Sequence, residues 1–414
     1  MIKKIACLIL AGILIVSCSV GFVMAGETSL IGASGVDNNK EIIRQSALGQ
    51  IAEYLESDSQ TKGKAIDLSD EFIYLYDIDG AVSGYMIPVM SMGKEIGYIS
   101  ASILETNCIV QDIYIEDNAL EKFKEKVSRA KGKQDRNIEN FRLLFVPPMD
   151  YIIEVDGLNG NKEYLTLNGD SITQNVEENR DMLKKFNDEI RSKLQQTGGV
   201  RVAVAVEDVR LVREAPGQFV PVTPVPPPDP SYGGDQMWWP VGSDKAKRGC
   251  GPVSVANITQ YLASKDSTKY GKLYPYTSTS YTNFMQHMDA MYTLINPGWL
   301  GEPSLSDYKS KVLSYAASKG VALTGVTKDN SGDRDVYATF VKAGLNLDTP
   351  VVCLNMQLSG YRYGPHWMTI SKYFRDSVDN RWIAVSTWGE RESVNFDTWQ
   401  YSTSQYGGGM EYFK

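Results

Sequence analysis

Seven of the chain's 17 prolines fall within Pro216–Pro230, in the run PGQFVPVTPVPPPDP, and no regular helix or central strand can pass through such a run. Proline fixes φ and lacks an amide hydrogen, so the run favours extended polyproline II and reads as a semi-stiff, solvated spacer. The alternative is a proline-rich loop packed within one domain. Composition changes across the run. The tryptophans (Trp238, Trp239, Trp299, Trp367, Trp382, Trp388, Trp399) and both histidines, His287 and His366, all follow it, whereas Lys/Glu-rich segments precede it. The 414 residues therefore divide into an upstream unit, 26–214, a linker, 215–232, and a downstream domain, 233–414.

Residues 1–25 read as an address. Two lysines lie in Met1–Lys4, Ile5–Val23 is almost entirely apolar, and Val23-Met24-Ala25 supplies small residues before a polar turn. This is the pattern of a secretory signal cut after Ala25, and it predicts a secreted chain. Ile15-Val16-Ser17-Cys18 resembles a lipobox, but the apolar run continues beyond Cys18. A retained membrane anchor is a third reading. No later stretch reaches the ~20 apolar residues that span a bilayer. Cutting at Ala25 leaves Cys108, Cys250 and Cys353, an odd number that does not suit a disulfide framework and invites a functional explanation for one thiol.

Charge and composition exclude several classes. A net charge of −8 argues against a nucleic-acid backbone or an anionic membrane as the main partner. Two histidines are too few for a zinc site built from several imidazoles. Phosphate-cradling loops, Cys-x-x-Cys pairs and Gly-x-Ser-x-Gly elbows are absent, and no cofactor is expected.

The upstream unit reads as α+β. Ile43, Ala47, Ile51 and Leu55 form a helical stripe. Phe72–Ile78 and Gly84–Val89 form strands around the Asp79-Gly80 turn signal, and Lys94–Ile99 continues the sheet. Helices are expected over Ala119–Ala130 and Glu177–Gln196, with strands at Phe141–Val146, Tyr151–Val155, Glu163–Leu167 and Val200–Val206. Cys108 lies in a strand edge and reads as a half-buried small residue.

The chemistry lies downstream, in Arg248-Gly249-Cys250-Gly251-Pro252-Val253-Ser254-Val255-Ala256-Asn257. Glycines on both sides of the cysteine allow a sharp turn and close approach of a substrate. The proline suits the first turn of a helix, and Val253, Ala256, Ile258, Tyr261 and Leu262 supply its apolar faces. Cys250 then sits at a helix N-terminus, where free amides favour the nucleophilic thiolate. A plain buried cysteine at a helix start is the structural alternative. Cys353, in a continuous apolar run, reads as an inner strand residue.

A thiolate needs an acid/base partner. His287 lies in a helical pattern and reads as structural. His366 follows Gly364-Pro365 and opens the alternating run Trp367–Ile370, so it stands at the start of a strand, beside aromatic cover. After a turn, Trp382–Gly389 returns as a strand ending in Ser386-Thr387-Trp388-Gly389.

A Cys-Gly-Pro helix start, a Gly/Pro-His strand start 116 residues on, and a strand ending in Ser-Thr-Trp-Gly together resemble the papain-like cysteine peptidases. The similarity is to the secreted bacterial types, the bacteriocin-leader-peptidase-like enzymes and streptopain, and it covers roughly Gly233 to Lys414. The resemblance implies a helix carrying Cys250 packed on an antiparallel sheet carrying His366, preceded by a smaller α+β prodomain. It implies that Cys250 attacks a peptide carbonyl to give an acyl-enzyme, with His366 as acid/base. The family orients its histidine with Asn in Asn-Ser-Trp-Gly. Ser386 occupies that position here, and Trp388 the position of the tryptophan that shields the ring. The oxyanion glutamine would be Gln236, 14 residues before the cysteine, because Asp244 stands where a nearer one is usual. The resemblance further implies a zymogen whose N-terminal domain acts as an intramolecular inhibitor, cut between about Gly198 and Tyr232, and a protein or peptide substrate. A cysteine amidase or cell-wall hydrolase on the same fold, and a non-catalytic binding protein, are the other readings.

Overall fold

Strand-forming runs from both sides of the proline-rich stretch join in one sheet. The computed structural model describes residues 33–414 apart from 105–106, 134–139, 158–159, 197–202, 224–229, 241, 299–302, 330–332, 357–364 and 407. The expected signal peptide, with Cys7 and Cys18, lies outside the described residues, as do Pro224–Pro228. The architecture is α+β, and the described strands form a 15-stranded, mostly antiparallel sheet.

Local chemistry accounts for the upstream half. Asp77 closes the expected Asp79-Gly80 turn, its Oδ1 accepting from the amides of Asp79 (3.0 Å) and Ala81 (2.9 Å). Met92 and Gly93, both at positive φ, form the two-residue turn joining Val82–Ser91 to Lys94–Ile103. The first of these strands is buried on both faces. Tyr85, Ile87 and Val89 meet the Ala33–Ser57 helix through its stripe of Ile43, Ala47, Ile51 and Leu55. Met86, on the opposite face, meets Leu120 and Phe123 of the Ala119–Gly132 helix. Cys108 is fully buried in this half, and burial pushes its thiol up to about 12.

The downstream half winds around the helix Cys250–Lys265, in which residues 250–263 are all buried. A helix apolar nearly all round belongs in the middle of a core. Strands Gly325–Asp329, Gly408–Phe413, Val351–Met356, Pro365–Arg375, Arg381–Thr387 and Glu390–Asn395 follow one another across the sheet. Cys353 is fully buried among them, as its apolar run predicts.

Two expectations change. The sheet does not stop at the boundary between the halves. Glu392, Ser393 and Val394 pair with Tyr114, Ile113 and Asp112 of the upstream strand Cys108–Ile115. Phe374 and Trp382 share the core of the Ala33–Ser57 helix. The second change concerns the linker. In its described part, Phe219, Val220 and Val222 are fully buried. The Phe219 ring lies 4.7 Å from Tyr232 and 5.7 Å from Tyr261, and Gly233 N donates to Val220 O (3.1 Å). These apolar side chains favour the core, and prolines beside them bring no amide that burial would leave unsatisfied. Of the expected Val200–Val206 strand, residues 200–202 lie outside the described residues and 203–206 are irregular; a strand follows at Glu207–Arg210, paired on Lys372–Arg375. Among the described residues, no helix is long and apolar enough to cross a membrane.

Candidate active site

Cys250 is the first residue of its 16-residue helix. The preceding turn, Asp244–Arg248, is capped by Ser243, whose Oγ accepts from Ala246 N (3.2 Å). Val253 N then donates to Gly249 O (2.9 Å), and Pro252 falls in the first turn, where a missing amide costs nothing. Packing demands the glycine before the cysteine but not the one after it. A Cβ on Gly249 would lie 2.2 Å from Cζ3 of Trp239, so the indole occupies that space. A Cβ on Gly251 would make an ordinary 3.4 Å contact with Trp367. Trp239 is fixed in turn by its Nε1 donating to Asp289 (2.8 Å).

His366 stands near the start of the strand Pro365–Arg375, opposite Asn355. Its Nε2 lies 2.8 Å from Thr387 Oγ1, at the end of the neighbouring strand. Trp388 lies flat on the imidazole, with ring centroids 4.4 Å apart and planes 14° from parallel. Trp388 takes a left-handed conformation (φ 46°), and Gly389 follows it at φ 74°. These two residues turn the chain sharply where the strand ends. Burial pushes His366 down to about 4, so the imidazole is neutral in this closed arrangement.

Cys250 and His366 line one small cavity together with Gln236, Asn257, Ser386 and Thr387. The space holds about one water molecule, at roughly 10 Å³. Cys250 is 6% exposed and His366 8%. Gln236 opens a short turn capped by Asp235, and its Nε2 donates to Ala246 O (3.0 Å), leaving a second amide hydrogen.

Ser386 lines the cavity but does not hold the histidine. Its Oγ donates to Tyr232 O (2.6 Å) and accepts from Asn257 Nδ2 (3.4 Å). Asn257 Oδ1 also accepts from Gly234 N (2.9 Å). Ser386 and Asn257 thus clamp the 232–234 segment that leads to Gln236. The residue touching the imidazole is Thr387, which sequence reasoning missed. Both hydroxyls reach the one cavity where the strand ends, and only Thr387 meets the ring. Nothing in the spacing of Ser-Thr-Trp-Gly separates them.

The other candidates fall elsewhere. His287 is buried on the helix Tyr281–Ile295, its Nε2 2.7 Å from Thr259 Oγ1, and burial pushes it down to about 3. Burial raises the Cys353 thiol well above the ordinary range. Cys108, Cys250 and Cys353 form no disulfide with one another. Among the described residues, no group of three or more His, Cys, Asp or Glu side chains is arranged to hold a metal ion.

No protein-family profile matches this chain, and no curated protein matches it.

Proposed function

We propose that the chain is a secreted cysteine endopeptidase of papain-like type, made as a zymogen. The observation that carries the reading is the shared cavity. Residues 116 positions apart, a cysteine at a helix N-terminus and a histidine on a strand, line one space with a glutamine amide beside them.

In the proposed reaction His366 takes the proton of the Cys250 thiol as the sulfur attacks the peptide carbonyl. The bond to the leaving amine breaks once His366 gives that nitrogen a proton, and an acyl-enzyme remains. His366 then takes a proton from water as that water attacks the thioester, and returns it to the departing sulfur, which restores the thiol and the neutral imidazole. The backbone N–H of Cys250 and the second amide hydrogen of Gln236 are the oxyanion donors. With Nε2 engaged by Thr387, Nδ1 is the nitrogen left to exchange the proton.

Latency finds support in the burial of both groups. A neutral imidazole in a space for one water neither admits a peptide nor forms an ion pair with a thiolate. Upstream residues reach the site's edge: Lys126 Nζ lies 3.0 Å from Glu390, and Asn168 Nδ2 3.6 Å from Met237 Sδ. The upstream unit is the intramolecular inhibitor in this reading.

The test is incubation of the purified chain under reducing conditions, with casein as a second substrate. Wild type is expected to shorten itself to a downstream fragment, to clear casein, and to be labelled by an epoxide inhibitor of thiol peptidases. Cys250→Ala is expected to do none of these. If both chains behave alike, the reading is wrong. Clearing of peptidoglycan but not casein would move the chain to the cell-wall hydrolases.

A further inference from the structure

Residues 203–206 belong to no helix, strand or turn, and Ala203, Ala205 and Val206 are exposed, Val206 to 52%. They lie between the packing of the two halves. Before them, the helix Arg180–Gln196 buries Phe186 and Ile190 with Leu144 and Ile152 of the upstream half. After them the chain packs downstream. Glu207–Arg210 pairs on Lys372–Arg375, and Glu207 meets Lys342 at 2.8 Å and Arg375 at 3.1 Å. Leu211 N donates to Ser371 O (3.0 Å), Val212 N to Asp348 Oδ1 (2.9 Å) and Tyr232 Oη to Glu214 O (2.8 Å). Leu211, Phe219, Val220 and Val222 are buried in the downstream core.

A peptidase cleft takes an extended chain, so a bond is cut where a stretch can leave its place without uncovering apolar surface. Residues 203–206 meet that requirement. They are tied down by Val204 N donating to Ser377 O (2.9 Å) and by Arg375 Nη2 donating to Ala205 O (3.3 Å), not by a buried side chain. The other exposed run among the described residues of the junction, 216–218, does not meet it. There Gln218 N and Phe219 N both donate to Ala215 O (2.9 and 3.3 Å), and Glu214 and Phe219 on either side are buried. Straightening that turn would withdraw both side chains.

We propose that the chain is processed within 203–206 and that a second copy of this chain makes the cut. Its own cysteine cannot, while Glu207–Arg210 stays paired. Val204 is held at Ser377, beyond the far end of the strand Pro365–Arg375 from His366, and about 3.3 Å per residue along that strand places the segment roughly 30 Å from the imidazole. Bringing it to Cys250 of the same molecule would strip the strand and pull Leu211 from the core. The substrate is therefore a surface stretch of small apolar residues, Ala-Val-Ala-Val, on another molecule. One peptide bond breaks and one water is consumed, which leaves a carboxylate on the upstream piece and a new amino terminus on the downstream piece. The strap 207–222 stays with the downstream half, and so does the contact of Glu214 with Arg391 (2.6 Å). That a copy of this chain makes the cut rests on the peptidase reading; that 203–206 is the point open to cutting does not.

The experiment has two arms, both on the full chain. In the first, Cys250→Ala is treated briefly with elastase, which cuts after small residues. The earliest downstream fragment is expected to begin between Val204 and Glu207 on amino-terminal sequencing. Any other start overturns the assignment of the site. In the second, wild type is incubated under reducing conditions at two concentrations. Its downstream fragment is expected to begin in the same interval, and the initial rate per molecule to rise about tenfold for a tenfold higher concentration, as a reaction between two molecules requires. Processed wild type is expected to cut added Cys250→Ala at the same place. A rate per molecule independent of concentration, or Cys250→Ala left whole by active enzyme, overturns cutting by a second copy. If wild type clears casein but its fragment begins elsewhere, the processing site fails and the peptidase reading survives. If wild type cuts neither itself nor casein while elastase still opens 203–206, the peptidase reading fails and the open point stands.

Discussion

Thr387 Oγ1 lies 2.8 Å from His366 Nε2, and this contact, with Trp388 stacked on the ring, sets the plane of the imidazole. A hydroxyl is a weaker anchor than a carboxamide, but it is held at the end of a paired strand. Thr387→Val keeps the shape and removes the hydrogen bond. We predict that it lowers kcat by about tenfold with little change in KM, less than the roughly 10²–10⁴-fold that a general acid–base group itself contributes, because Thr387 acts only through His366. Thr387→Ser should recover most of the rate. Ser386→Ala should instead lower stability and leave the pH–rate profile in place. Kinetics across pH separate the two, and equal profiles for the Thr387 and Ser386 variants would refute the assignment.

The two halves are locked by a buried charge network. Arg391 Nη2 meets Asp58 Oδ2 at 2.6 Å, Arg391 Nε meets Glu214 at 2.6 Å, and Lys372 Nζ lies 3.3 Å from Asp58. Burial pushes the Asp58 carboxyl up, but Arg391 and Lys372 outweigh it and hold it down to about 2. Removing one member strands the others, so Asp58→Ala should cost about 3–5 kcal/mol in urea unfolding. Asp58→Ala combined with Arg391→Met should cost less than the two changes summed. Because this network and the Val394–Asp112 strand pairing both cross the junction, a chain cut in the proline-rich stretch should still elute as one particle. Separation at neutral pH without denaturant would contradict this.

Alkaline pH should loosen the downstream half through Glu411. Its carboxyl is buried, and its Oε1 accepts from Thr327 (3.1 Å) while Oε2 has no partner among the described residues. Burial pushes it up to about 8 from an ordinary 4.5. The folded state therefore holds a proton that the unfolded state has lost. The resulting stability is full below about 4.5 and disappears as pH rises through about 8. His366 and His287 act with the opposite sign. Both are pushed below the ordinary 6.5, so their contribution is lost as pH falls from about 6.5 towards 4 and 3. Thermal melts should show Glu411→Gln flattening the fall in Tm between about pH 4.5 and 8 and leaving the region below pH 4.5 unaltered. A fall as steep as wild type would rule Glu411 out as its source.

Local signals were legible wherever one residue's chemistry decides the backbone. The helix beginning at Cys250, the strand beginning beside His366 and the Asp79-Gly80 turn all stand where capping, glycine and alternation put them. The stripe Ile43, Ala47, Ile51, Leu55 is buried as its spacing demands. What spacing cannot carry is the choice between neighbours one residue apart, hence Ser386 in place of Thr387. Nor does composition reveal partners far along the chain. Nothing in Glu392-Ser393-Val394 announces pairing with Asp112–Tyr114, and nothing in the proline content distinguishes a solvated spacer from one whose Phe219, Val220 and Val222 are buried.

Gly233 offers the sharpest test of how the cavity is built. It sits at φ 86°, between Tyr232, whose carbonyl receives the Ser386 hydroxyl, and Gly234, whose amide meets Asn257. A Cβ there would lie 2.4 Å from Ser386 Oγ and 2.8 Å from Asn257 Nδ2. Both hydroxyl and carboxamide are themselves hydrogen-bonded, so neither can withdraw without losing a partner. Gly233→Ala combines left-handed strain of about 1–2 kcal/mol with overpacking of about 1–3 kcal/mol. We predict a total near 2–5 kcal/mol in urea unfolding, with peptide hydrolysis reduced further than stability alone explains, because the segment displaced is the one that carries Gln236. Gly217 is the control: its φ of 76° is equally left-handed, but nothing lies within 4 Å of its added Cβ. Gly217→Ala should cost only the strain, about 1–2 kcal/mol, and leave hydrolysis unchanged. Equal losses for the two variants would mean that the clamp of Ser386 and Asn257 does not set the position of Gln236.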